Sequence, residues 1–184
     1  MSNKSLKIVD VSPRDGLQNE VSLIDTRTKV ELITRLYDAG LRHIESTSFV
    51  SPRWVPQMSD AFDVMHALPK HNDVVFSALT PNLKGLQKAI SANVKEVAVF
   101  TAASETFCQK NINCSIAESL ALFSEVVALA NLKEIKVRAY VSTIFACPYQ
   151  GAVSIDKVIS ISNALIEMGC YEISLGDTTG VGTT

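Results

Sequence analysis

Two periodicities alternate along the chain. Short runs rich in Val, Ile and Phe occupy residues 6–11, 43–49, 74–79, 96–100, 136–144 and 172–175, and their apolar character predicts strands covered on both faces. Between them, apolar positions fall at helical spacing. Val30, Ile33 and Tyr37 make one stripe, which Gly40 is placed to end. Met58, Phe62 and Met65 make a second that stops before Pro69, and Leu83, Leu86 and Ile90 make a third. Ser115 and Glu118 form an S-x-x-E capping signature ahead of Leu122 and Val126. Val158, Ile161 and Leu165 complete the fifth stripe, closed by Gly169. All five read as packing faces.

Strands and helices in this order predict parallel strands joined by helical crossovers. Two α/β architectures fit. A doubly wound nucleotide-binding sheet usually opens on a Gly-rich turn. Here the first strand runs into Val11-Ser12-Pro13-Arg14-Asp15-Gly16, with neither G-x-G-x-x-G nor a Walker loop. Almost every strand also ends in polar residues: Arg14 and Asp15; Glu45 to Ser48; Ser77 and Thr80; Thr101, Ser104 and Glu105; Tyr140, Ser142 and Thr143; Asp177 and Thr178. In a barrel such ends converge on one face, where catalytic groups are collected from several strands. The pattern predicts a (β/α)8 TIM barrel, incomplete here, with about six strands and five helices where closure takes eight of each. Residues 1–184 are expected to form one partial catalytic domain, a fragment whose first and sixth strands are open edges.

Composition narrows the function. Apolar residues make up 47% and charged residues 20%, as in a soluble globular protein, and the net charge of −2 argues against a nucleic-acid partner. No apolar stretch reaches the roughly 20 residues needed to span a bilayer, so no membrane partner is expected. The amino end shows neither a secretory nor an Arg-rich leader, and the expected compartment is the cytoplasm. Cys108, Cys114, Cys147 and Cys170 never form C-x-x-C, and His43, His66 and His71 lack zinc-ligand spacing. These cysteines read as small wall or core residues.

The decapeptide Val11-Ser12-Pro13-Arg14-Asp15-Gly16-Leu17-Gln18-Asn19-Glu20 resembles the first-strand signature of the hydroxymethylglutaryl-CoA lyase family. Matching segments follow in order: residues 44–52 with Trp54-Val55-Pro56-Gln57-Met58, then residues 79–85, 110–115, Cys147-Pro148-Tyr149 with Gly151, and residues 169–178. The resemblance implies cleavage of 3-hydroxy-3-methylglutaryl-CoA to acetyl-CoA and acetoacetate with a divalent cation, Mg²⁺ or Mn²⁺. Such a retro-Claisen reaction removes a proton from a tertiary alcohol and leaves negative charge on a thioester enolate. A cation on the hydroxyl lowers its pKa, and a guanidinium beside the enolate stabilises the developing charge.

By this resemblance Asp15 is a metal ligand, Arg14 the enolate-stabilising cation and Glu45 an active-site glutamate holding Arg14. Gln18, Asn111, Tyr140, Ser142 and Thr178 match substrate-pocket positions. Read without the family, Arg14 and Asp15 are equally an ion pair closing the first loop. Asp177 reads as a support of the metal shell or as a helix cap, and Asp10 as a buried polar contact. The family's His-x-His pair, a further Asn ligand and a Cys on a Gly-rich loop have no match in this sequence. One carboxylate cannot fix a divalent ion, so residues 1–184 alone are expected to be inactive. Thr143, where relatives often carry Cys, and Thr179, where they often carry Ile, depart from the pattern away from any proposed catalytic role.

A small-molecule acyl-CoA is the expected partner, with a homodimer for the full-length form. Other readings are a non-catalytic interaction module and a sibling acyl-CoA lyase or synthase with a different substrate.

Overall fold

A computed structural model of the chain describes residues 6–183. They fall into two compact units. One takes in the chain up to Thr80 together with Lys84–Val97, and the other takes in Pro81–Leu83 and everything from Ala98 onward.

The first unit holds α1 (Thr26–Asp38), β1 (His43–Ser48), α2 (Ala61–Ala67), β2 (Val75–Leu79), nearly all of α3 (Leu83–Ser91) and the start of β3 (Glu96–Ala102). Its strands stand in the order β1-β2-β3, and β1 pairs parallel with β2 from His43↔Val75 to Ser48↔Leu79. The register slips between Glu45 and Thr47. α1 starts where the Asp25 carboxylate accepts the Thr28 N–H at 3.0 Å, satisfying one of the open donors of the first turn. Its apolar stripe then buries Ile33 against Ile44 of β1, Val64 of α2 and Leu68 just after that helix, with Leu36, Met65 and Phe76 packed around them.

The second unit holds the rest of β3, α4 (Glu105–Ile112), α5 (Ile116–Leu132), β4 (Lys136–Ser142), the short strands β5 (Ala146–Cys147) and β6 (Gly151–Ala152), α6 (Ile155–Met168) and β7 (Glu172–Leu175). Its strand order is β3-β4-β7, with β4 and β7 parallel and Arg138 opposite Glu172; β5 and β6 form a separate antiparallel pair. The expected capping box at Ser115 is complete, with Ser115 Oγ accepting the Glu118 N–H and the Glu118 carboxylate accepting the Ser115 N–H. The core is built from Phe123, Val126 and Val127 of α5, Val137 and Val141 of β4, and Ile161 and Leu165 of α6.

Five expected strands and four of the five expected helices stand within a few residues of the sequence reading. The first segment does not: residues 6–11 contribute one parallel bridge, Asp10↔Ile44, and no longer strand. Leu6 and Ile8 are exposed, and the Asp10 carboxylate turns back to accept the Ser12 N–H (2.9 Å) and hydroxyl (2.6 Å). Asp10 is therefore a local turn former and not a buried contact. The second stripe is broken: Met58 lies in a 3₁₀ turn (Pro56–Met58), and α2 starts at Ala61. Sequence reading missed α4, which shows no apolar stripe, and the β5–β6 pair.

α6 ends at Gly169, whose φ of +113° lies in the left-handed region. A Cβ there would stand 2.7 Å from Asn131 Nδ2, the movable end of a side chain, so it is the left-handed backbone that calls for glycine. Gly169→Ala is expected to cost about 1–3 kcal/mol in denaturant unfolding. An unchanged midpoint would show that the α6 terminus relaxes freely.

Candidate functional site

In the first unit the chain leaves Val11 through a π-helical turn, Ser12–Gly16, with Pro13 at its start, where a missing N–H costs nothing. Single π turns are rare and recur at functional sites. This one presents Arg14 and Asp15 side by side. The Arg14 Nε donates to Glu45 Oε1 at 2.5 Å and its Nη1 donates to Asp15 Oδ1 at 2.8 Å.

The three groups differ sharply in exposure: the Glu45 side chain is fully buried, that of Arg14 is 12% exposed and that of Asp15 is 61% exposed. A guanidinium thus runs from a buried carboxylate outward to a solvated one. A buried carboxylate is costly unless paired, and charge-assisted hydrogen bonds to Arg are among the stronger ways to meet that cost.

The segment after this turn is held by a second polar network. Lys29 of α1 is buried, and its ammonium donates to the Gln57 carbonyl (2.5 Å) and to Asp60 Oδ1 (2.6 Å). The Thr26 hydroxyl donates to Asp60 Oδ2 at 2.8 Å. The buried Gln57 amide accepts the Ile24 N–H (2.9 Å) and donates to the Ser22 carbonyl (3.0 Å). Gln18 stands half-buried between these two fixed points. Sequence reading gave Lys29 no role and took Gln57 only as part of a matching segment; an inward Lys beside an apolar stripe, three positions into a helix, was the available signal.

In the second unit Tyr140 and Ser142 are half-buried at the end of β4, and the Arg138 guanidinium lies 5.0 Å from the Tyr140 ring centre. Thr178 is exposed, and its Oγ1 accepts the Thr143 N–H at 2.8 Å. Asn111 is exposed in the last turn of α4. The start of that helix is fixed by Ser104, whose hydroxyl accepts the Phe107 N–H (3.1 Å) and lies 2.6 Å from Gln150 Oε1 and 2.9 Å from Cys147 Sγ. Near its end, Lys110 Nζ sits 4.0 Å from the Tyr149 ring centre.

Asp177 caps its own loop: its carboxylate accepts the N–H groups of Gly182 (2.8 Å) and Val181 (3.2 Å), and these bonds hold its pKa below the ordinary value. That geometry is a loop cap. Cys170 reads as a core residue, its thiol pushed up to about 11 by burial.

The first unit therefore brings Arg14, Asp15 and Glu45 together, while the second brings Ser142 and Thr178 to the ends of neighbouring strands. Among the described residues no group of three or more His, Cys, Asp or Glu side chains is placed to hold a metal ion. Asp15 alone offers an exposed carboxylate beside Arg14.

The model of the HMGL-like family matches residues 5–184, almost the whole chain.

The chain belongs to the HMGL-like family.

It is 56% identical over 178 residues to the mitochondrial hydroxymethylglutaryl-CoA lyase of Gallus gallus, covering 97% of this chain and 60% of the relative. The crystal structure of hydroxymethylglutaryl-CoA lyase from Pseudomonas aeruginosa matches 98% of this chain and 60% of its own at a TM-score of 0.95 and 49% identity. An HMG-CoA lyase from Acinetobacter baumannii, solved with coenzyme A and 3-methylmalate, matches 95% of this chain and 57% of its own at a TM-score of 0.91 and 36% identity.

The chain thus spans 52–60% of the length of these relatives. Its fold is the α/β fold expected from the sequence, part of the TIM barrel of these lyases. The cytoplasmic expectation is overturned: several similar lyases are named mitochondrial, while one from Mus musculus, 54% identical, is named cytoplasmic. Catalytic domains so alike occur under both names, so the residues shared with them do not assign a compartment.

Lys29→Met is expected to cost about 3 kcal/mol, because it leaves the Asp60 carboxylate part-buried without its cation. The Ile24 amide should lose protection from hydrogen exchange as Gln57 loosens, and the pair Lys29→Met with Asp60→Leu should recover much of the stability. Unchanged exchange at Ile24 would show that the network does not hold this segment.

Proposed function

We propose that the protein carrying this chain cleaves 3-hydroxy-3-methylglutaryl-CoA to acetyl-CoA and acetoacetate. The carrying observation is the fixed guanidinium of Arg14, tied to the buried Glu45 and lying against the exposed Asp15. High identity to lyases of this activity supports the reading. Cleavage of the carbon–carbon bond places negative charge on the thioester enolate. Arg14 would stabilise it, since a cation positioned in advance costs no reorganisation when the charge appears. Arg keeps its charge at any working pH and offers a planar fork of donors, so it suits an enolate oxygen better than Lys.

Glu45 acts by holding that fork. Gln18, Asn111, Tyr140, Ser142 and Thr178 are proposed to line the acyl-CoA pocket. The coenzyme A found in the Acinetobacter baumannii lyase supports an acyl-CoA as the substrate class.

Asp15 is proposed as one ligand of a divalent cation, Mg²⁺ or Mn²⁺. The remaining donors of such a site are not among the described residues, and the sequence contains no His-x-His. The residues of this chain do not by themselves fit a complete cation site.

Two outcomes are expected. The purified 184-residue chain should bind Mg²⁺ or Mn²⁺ weakly and release no acetyl-CoA from the substrate; metal-dependent release would overturn the assignment of missing ligands. In a longer protein carrying this sequence, Arg14→Lys should lower kcat by about 10²–10³-fold with little change in KM. Comparable kcat/KM on related acyl-CoA thioesters would displace the substrate assignment.

A further inference from the structure

β4 ends at Ser142, and the residue that follows it, Thr143, has a left-handed backbone with φ of +58°. For a β-branched residue this conformation is a true outlier, normally left to Gly or Asn. Thr143 is also fully buried, so solvent does not relax it. Such strain persists only where the surroundings over-determine it, and it gathers at functional sites.

Here the surroundings are explicit. The Thr143 N–H donates to Thr178 Oγ1 at 2.8 Å, and the Thr143 hydroxyl donates to the Ser142 carbonyl at 2.7 Å. The same Ser142 carbonyl accepts the Ala103 N–H at 2.9 Å. On either side, the Gly176 N–H reaches the Val141 carbonyl (2.9 Å) and the Ile144 N–H reaches the Gly176 carbonyl (3.3 Å). A Cβ at Gly176 would lie 3.5 Å from both Ser142 Cα and Val141 O, so the two segments run backbone against backbone.

We infer that Thr143 is a positioning residue, held in its left-handed conformation by the Thr178 hydroxyl, and that it sets where Ser142 stands at the mouth of β4. Thr178 then serves the site through a backbone bond, whether or not it also touches substrate. A hydroxyl that accepts a backbone N–H keeps its own proton to donate, and the bond fixes the oxygen from which that proton points. The substrate-facing arrangement therefore depends on a residue pair, 143 and 178, drawn from the loops that follow the neighbouring strands β4 and β7. The inference rests on the proposed substrate pocket for its consequence, but the Thr143–Thr178 bond stands or falls by a separate measurement.

The test uses a longer protein carrying this sequence, with amide hydrogen exchange at Thr143 read beside steady-state kinetics. Thr178→Val keeps the side-chain shape and removes the acceptor. It should speed exchange at Thr143 about tenfold and lower kcat about tenfold with a smaller change in KM. Thr178→Ser keeps the acceptor and should retain the protection. Thr143→Gly, which adopts the left-handed backbone without strain, should fold at least as well as the parent and, combined with Thr178→Val, should restore part of the lost kcat.

Unchanged exchange at Thr143 in Thr178→Val, or no recovery in the double variant, overturns the inference. If the parent protein does not cleave 3-hydroxy-3-methylglutaryl-CoA, the proposed function fails, and the exchange result alone still decides whether Thr178 holds Thr143.

Discussion

A carboxylate removed from water must be met by a cation, and Glu45 is met by Arg14. Glu45 sits in β1, whose pairing with β2 fixes its backbone, so the carboxylate is a point of reference and the guanidinium comes to it. That single bond decides the course of the chain after Val11. Arg14 has to lie within reach of the strand, and the π-helical turn is the local conformation that brings it there while Asp15 remains at the surface. The order of exposure from Glu45 through Arg14 to Asp15 gives each carboxylate its own part. The buried one orients the cation, and the solvated one is accessible to a ligand.

The environment of Glu45 strengthens this division. The strand ends of the first unit are polar yet buried: Ser46, Thr47, Ser48, Ser77 and Thr80 all lie within the protein interior. Short hydroxyl side chains let polar groups approach one another without admitting bulk water, and a charge pair in such a setting is screened less than one at the surface. Thr80 carries this furthest, since its hydroxyl is buried without a hydrogen-bond partner among the described residues. The preference of these strand ends for small polar residues follows from the need to stay both dry and polar.

Much of the fold was legible because its signals are local and repeated. Apolar runs marked β1 to β4 and β7, and helical stripes with Gly169 and the Ser115–Glu118 box marked α1, α3, α5 and α6. What failed depended on distant partners. Residues 6–11 have strand-like composition, but composition does not supply a neighbour, and only Asp10 pairs with Ile44. α4 lacks an apolar stripe because its anchorage is polar and lies at its first turn, where Ser104 meets Cys147 of β5 and Gln150 in the turn before β6. Arg14, Asp15 and Glu45 were legible as a set through the family resemblance; the charge pattern alone left an ordinary loop ion pair equally open.

Thr143 shows why the remainder was not legible. In sequence it is one more β-branched residue at the end of a β-rich run, and its composition argues for an extended backbone. Its left-handed conformation is imposed from outside, by an acceptor on Thr178 and by the close passage of Gly176. Local preference and tertiary demand conflict there, and the tertiary demand wins because Thr143 is buried with its N–H already committed. Conflicts of this kind are expected where a protein gives up local consistency to place a functional group. The neighbours of such a residue, Ser142 before it and Thr178 across from it, are the positions whose placement the conflict serves.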